Sequence, residues 1–263
     1  MKTRTHRFPV GTGAPSLEVR NPAGSVTVEA VADAPEFVVE IEPLDAAAEQ
    51  LVDQVDVFPA GSRLRVAVPE RRLWRTPRFA VRVTVPRGTA TRVAVASADT
   101  ELRGELGSVE LTAASGDGFV EHCSDLQVRS ASGGTRIGTV TGSATIGTAS
   151  GDVRVESIGA GLRVRTASGD VEVGAAGGEV SVSTASGDVG IDRLAGGSVR
   201  VKTASGDITL GVVPGLRVWL DLSSVSGRME SALVDDAAGG GAAQLTLSVR
   251  SVSGDQRIRR SAA

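Results

Sequence analysis

The sequence has no tyrosine, one cysteine, two histidines and two methionines among 263 residues, and its rings are limited to five Phe and two Trp. A core of this size cannot rest on aromatic side chains that bury about 150–250 Å² each. Val, Leu, Ile, Ala and Thr must therefore fill a narrow cross-section. The lone Cys123 permits no internal disulfide, so the chain is not a disulfide-framed secreted domain. His6, His122 and that thiol are too few for a zinc cluster. His122 and Cys123 are sequence neighbours, which a strand points to opposite faces, so they make no nucleophile–base pair. No stretch approaches the roughly 18–20 apolar residues that span a bilayer. The opening MKTRTHRFPVGTGAPSLEVRN carries charge without the apolar run of a signal peptide. These absences lead us to expect a cytoplasmic chain without a transmembrane segment.

Charge of one sign is also missing. Twenty-eight basic residues stand against 31 acidic ones, a net charge of −3, which gives no overall attraction to nucleic acid. Nearly all the cations are Arg, with Lys only at Lys2 and Lys202. No cofactor and no nucleic-acid partner are expected.

Glycine, by contrast, is abundant at 33 residues, and much of it is periodic. Ala-Ser-Gly-Asp or a close variant recurs with its glycine at Gly116, Gly133, Gly151, Gly169, Gly187, Gly206, Gly227 and Gly254, at successive spacings of 17, 18, 18, 18, 19, 21 and 27. A weaker copy, ASAD, spans Ala96 to Asp99. Such a fixed period changes the expected fold before any local assignment is made. Within a period the residues alternate: Val153 and Val155 flank Arg154, and Leu162, Val164 and Thr166 flank Arg163 and Arg165. Alternation of this kind marks strands with one buried face, and Gly-Asp marks turns.

Each repeat is thus two short strands and two turns, and neither strand can bury its face alone. Stacking successive coils about 4.8 Å apart solves this, with the inward Val residues in columns. The predicted fold is all-β, a single-chain β-solenoid of β-helix or β-roll type with coils of about 18 residues. Nine turn markers imply about eight coils stacked in sequence order, a rod of roughly 40 Å. The alternation places Thr166, Thr184 and Thr203 inside, which removes the outward Thr ladder that ice binding requires.

Residues 1–95 read as degenerate β coils acting as a cap, and residues 96–263 as the regular repeats. PAGSVTV (Pro22 to Val28) and PAGSRLRV (Pro59 to Val66) lie 37 residues apart, about two periods, and read as a looser version of the same repeat. Between them Leu44, Ala48, Leu51 and Val55 recur at helical spacing and predict a short helix. Phe8, Phe37, Phe58 and Phe79 all lie before residue 80, as an end that closes a core requires. DDAAGGGAA (Asp235 to Ala243) reads as a flexible insertion that lengthens the last coil.

The tandem T-A-S-G-D-[VI]-x-[VL] units, with the opening LEVRNPAGSVTVEA and the closing WLDLSSVSGRMES…LSVRSVSGD, resemble a bacterial β-strand-repeat family known as putative adhesins, a domain family of unknown function. The resemblance covers nearly the whole chain. It implies a β-solenoid, and it supplies no catalytic residue and no cofactor to carry over.

Two surface features follow from the repeat. Asp117, Asp152, Asp170, Asp188 and Asp207 form a ladder near one edge, read as turn formers and as the weaker candidate for a cation site, since calcium favours several carboxylate oxygens. The GGxGxD period of calcium-binding β-rolls is absent. Arg129, Arg163, Arg165, Arg200 and Lys202 form a basic stripe on one outward face, read as a solvated strand face or as a site for an anionic glycan or lipid surface. Stepping by six from Val153 meets Gly159 and Arg165, which excludes the hexapeptide acyltransferase coil. The short turns build no polysaccharide-cleaving cleft. The expectation is therefore no enzyme but a non-catalytic structural or binding scaffold. Its alternatives are end-to-end self-assembly, as in bactofilin-like polymers, and peripheral binding to an anionic glycan or lipid at the envelope. A protein partner or a second copy would engage its faces or ends.

Overall fold

The computed structural model describes residues 3–69, 76–233 and 243–261. Its contacts divide the chain into two compact units, Met1–Thr135 and Arg136–Ala263. Strands dominate both, as alternation with frequent glycine turns demands.

In the first unit the strands are β1 (Arg4–Pro9), β2 (Ser16–Val31), β3 (Glu36–Pro43), β4 (Asp56–Ala60) and β5 (Arg63–Ala67). They continue with β6 (Phe79–Pro86), β7 (Ala90–Leu106), β8 (Val109–Ser115), β9 (Gly118–Cys123) and β10 (Leu126–Ser132). β2 is a complete coil that turns a corner at Asn21–Gly24. One of its edges pairs in parallel with β7 along both halves, Val19 with Val93 and Val28 with Leu102. The other edge takes β5 on the first half and β6 on the second, again in parallel. β8 and β9 then stack on β7, and β10 on β8.

Beyond β5 and β6 the pairing becomes antiparallel: β4 on β5, β3 on β6 and β1 on β3. These strands close the unit with charged or proline-bearing edges (Arg4, Arg7 and Pro9 on β1, Pro59 on β4), features that discourage further pairing. The expected helix is present as α1 (Ala46–Leu51), followed by one 3-10 turn, Val52–Gln54. Asp45 starts it, its carboxylate accepting the Ala48 amide at 2.7 Å, and Ala48 and Leu51 are its buried residues.

The second unit runs from β11 (Thr135–Val140) through β12 (Ser143–Ser150), β13 (Val153–Ile158), β14 (Gly161–Ser168), β15 (Val171–Ala176), β16 (Glu179–Ser186) and β17 (Val189–Leu194). It continues with β18 (Gly197–Ser205), β19 (Ile208–Val212), β20 (Val218–Ser226), β21 (Met229–Ser231), β22 (Leu245–Ser253) and β23 (Gln256–Arg260). β12, β14, β16 and β18 stack in parallel and in register on one face. β13, β15, β17 and β19 stack in parallel on the other, in register but for a shift between Ile191 and Leu194 where β17 meets β19. Ile146, Val164, Val182, Val201 and Val249 form one inward column, each nearly inaccessible. Thr166, Thr184 and Thr203 are buried as expected, and each hydroxyl donates to the carbonyl two residues on, at 2.9 to 3.0 Å.

Two expectations are corrected. Coils do not stack in strict sequence order: β22 lies between β18 and β20, and β23 between β19 and β21, just as β2 lies between β5 or β6 and the later β7. The two PAGS segments are not copies of one repeat either. Gly24 turns a coil corner with φ 114°, whereas Gly61 (φ 62°) turns the antiparallel hairpin of β4 and β5. The insertion read at Asp235 to Ala243 lies, but for Ala243, outside the described residues.

Candidate functional site

Each coil turns at a glycine for a reason visible in the backbone. Gly116, Gly133, Gly151, Gly169, Gly187, Gly206, Gly227 and Gly254 all have φ between 101° and 152°. That region is closed to side chains with a Cβ, and a Cβ at Gly187 would stand 2.2 Å from the Gly169 carbonyl oxygen.

The Asp that follows has a defined partner. Asp152 accepts the Asp170 amide at 3.0 Å, Asp170 accepts Asp188 at 2.8 Å and Asp188 accepts Asp207 at 2.8 Å. Asp207 accepts Asp255 at 2.9 Å, and Asp255 accepts the Arg228 amide at 2.8 Å. In the first unit Asp117 donates its amide to Asp99 and accepts that of Gly134. The ladder thus ties one coil to the next. Among the described residues no group of three or more His, Cys, Asp or Glu side chains is placed to hold a metal ion. The bond needs an acceptor and no charge. Asp188→Ala is therefore expected to lower stability by about 1 kcal/mol in urea unfolding, while Asp188→Asn retains wild-type stability with or without added calcium.

On the β13–β15 face of the second unit three cations meet carboxylates, while the exposed Arg136 on β11 and Arg193 on β17 have none within 4.0 Å among the described residues. Arg154 lies one coil from Glu172 and binds it at 2.6 Å. That hydrogen bond is the main cause holding the Glu172 carboxyl below its ordinary value. Arg257 meets Glu230 at 3.6 Å and Arg259 meets Asp192 at 3.5 Å on the same face.

On the β14–β16–β18 face the partners one coil away are small instead. Arg163 faces Ser181, and Ser181 faces Arg200; Arg165 faces Ser183, and Ser183 faces Lys202. All four cations are exposed, and among the described residues none has a carboxylate within 4.0 Å. The stripe members thus share one face of this unit, with cations on alternate coils. Arg129 is on β10 in the first unit and lies 3.8 Å from Glu110.

One cation of this face escaped the sequence reading. Arg250 stands directly beside Lys202 because β22, not β20, is the next strand, and it lies 3.8 Å from Asp221 on its other side. The signal for it was Gly254-Asp255, which continues the ladder, against Gly227-Arg228, which cannot.

His122 is on the exposed side of β9 and Cys123 on the buried side. Burial, and secondarily Asp125, pushes the Cys123 thiol up to about 12, the opposite of an activated nucleophile. No helix of the described residues is long and apolar enough to cross a membrane.

Residues 48–259 match the family model described as Toastrack DUF4097. No curated protein matches the chain. Among solved structures, a "putative adhesin" from Bacteroides fragilis aligns with 98% of this chain and 97% of its own, at 14% identity and a TM-score of 0.47. A "putative lipid binding protein" from Parabacteroides distasonis aligns with 98% of this chain and 96% of its own, at 11% identity and a TM-score of 0.42. With its family match running from α1 to β23, this all-β solenoid belongs to the Toastrack DUF4097 family.

Proposed function

We propose that the chain is a non-catalytic binding scaffold that lays the β14–β16–β18 face of its second unit on anionic lipid headgroups. The observation that carries this reading is that Arg163, Arg165, Arg200 and Lys202 are exposed, stand opposite serines and have no carboxylate within 4.0 Å among the described residues. Parallel coils hold them in two columns, with successive cations about 10 Å apart. The serines between them are too short to obstruct a flat surface.

A cation near an anionic leaflet contributes about 1 kcal/mol. The four together amount to about 4 kcal/mol at low salt, which the chain's net charge of −3 reduces through long-range repulsion. Cytoplasmic placement is part of this proposal, because the cytoplasmic leaflet is the anionic one, and cell fractionation tests it.

Co-sedimentation with vesicles, with and without phosphatidylglycerol, tests the binding. Wild-type protein is expected to sediment with anionic vesicles only, and to be released as salt shortens the Debye length below about 10 Å. Replacing Arg163, Arg165, Arg200 and Lys202 by Ser is expected to lower partitioning by about a hundred-fold or more. Equal binding to neutral and anionic vesicles overturns the reading. Binding to a soluble acidic polysaccharide without binding to vesicles removes lipid and leaves the glycan.

A further inference from the structure

We propose that the β20–β21 coil is a self-association surface on which a second copy of this chain docks, antiparallel, to form a two-fold dimer. The inference is independent of the basic face.

β20 pairs with β22 alone and β21 with β23 alone, so each has one long edge without a strand partner among the described residues. The core is open there. Leu245, Leu247 and Val249 are fully buried, but Val218, Leu220 and Leu222, in register one coil further out, are only half-buried. Met229 is 51% exposed, although its partner Gln256 is fully buried. The backbone shows the same interruption. The amides of Gly169, Gly187, Gly206 and Gly254 each donate to a serine carbonyl of the next coil. The amide of Gly227 is next in that series and has no acceptor among the described residues. Unlike β1 and β4, β20 (VWLDLSSVS) carries no Pro, Lys or Arg, so it lacks those protections of an edge strand.

Two features select the occupant. Head-to-tail stacking in parallel is disfavoured, because Arg228 stands where the preceding coils offer Asp to the next amide. An isologous pairing needs no such acceptor, and this strand is suited to one. Leu222 is the central residue of the nine in β20. A two-fold axis through it sets Trp219 opposite Val225 of the second copy, twice, and Asp221 opposite Ser223. Trp219 is 53% and Val225 84% exposed, on the same outward side of the strand. Aromatic against β-branched is a favourable cross-strand pair, and both side chains leave water in the dimer.

The test is molar mass of the full chain by light scattering and sedimentation equilibrium across a wide concentration range. The expected result is a reversible shift from 26.8 kDa to twice that mass, with no larger species. Trp219→Lys with Val225→Lys is expected to raise the dissociation constant at least a hundred-fold, with unchanged circular dichroism and Tm because both side chains are exposed. Trp219→Glu with Val225→Glu is expected to be equally monomeric alone. Mixing the Lys and Glu variants restores a dimer, since each Lys then faces a Glu across the two-fold. A constant monomer overturns the proposal. So does growth into rods, which requires a head-to-tail contact, and so does a dimer indifferent to both double variants.

Discussion

Gly187→Ala is expected to destabilise the second unit by about 3–5 kcal/mol, the range of the severe single substitutions. Two costs combine. The φ of 131° at this position lies in a region essentially reserved for glycine, worth about 1–3 kcal/mol of strain for any other residue. The new methyl would also stand 2.2 Å from the Gly169 carbonyl oxygen and 2.7 Å from its carbon. Gly169 cannot yield freely, because its own φ is 125° and its amide donates to Ser186. The disturbance therefore passes to the adjacent coil. Gly190→Ala is the matched control: it sits in β17 with nothing within 4 Å of a new Cβ, and it is expected to be neutral or slightly stabilising. Urea unfolding of the two variants measures the difference. Equal midpoints would show that the corner tolerates a side chain and that the repeated glycine has another cause.

Phe79→Ala is expected to cost about 4 kcal/mol, within the range for truncating a buried ring, and to act on the first unit. The ring is fully buried, in a strand that joins the parallel and antiparallel parts of that unit: Phe79 pairs with Gly24 on β2 and with Pro43 on β3. Its carbonyl also accepts the side-chain amide of the buried Asn21 at 2.9 Å. Phe58→Ala on β4, where the ring is 65% exposed, is expected to change stability by less than about 0.5 kcal/mol. Hydrogen exchange on the Phe79 variant is expected to show lost protection in β2, β3 and β6. Loss confined to β12 through β19 would contradict the assignment.

The regular coils were readable because their rules are local. Alternation at Val171, Val173, Val180 and Val182 states which side chains face in, and Gly-Asp states where the chain turns. The 18-residue period brings Arg154 to Glu172 and Arg163 to Ser181. The first unit is less periodic, and there the antiparallel strands β1, β3 and β4 left no comparable mark. Their burial pattern alternates just as a parallel strand's does, since period two records only the buried face.

By itself the sequence determined the all-β solenoid, the corner glycines and the inward threonines. Only the tertiary structure decided the order of the stack: that β22 enters between β18 and β20, and that β2 is enclosed by β5 and β6 on one edge and β7 on the other. The physical reason lies in the edges. Each coil presents the same backbone donors and acceptors and the same inward Val or Leu to either neighbour, so local residues barely distinguish one stacking order from another. The choice falls to the ends. Arg228 replaces the Asp that would continue the ladder and so leaves its coil outermost. That order brings Arg250 beside Lys202, and it leaves Trp219 and Val225 on an open edge.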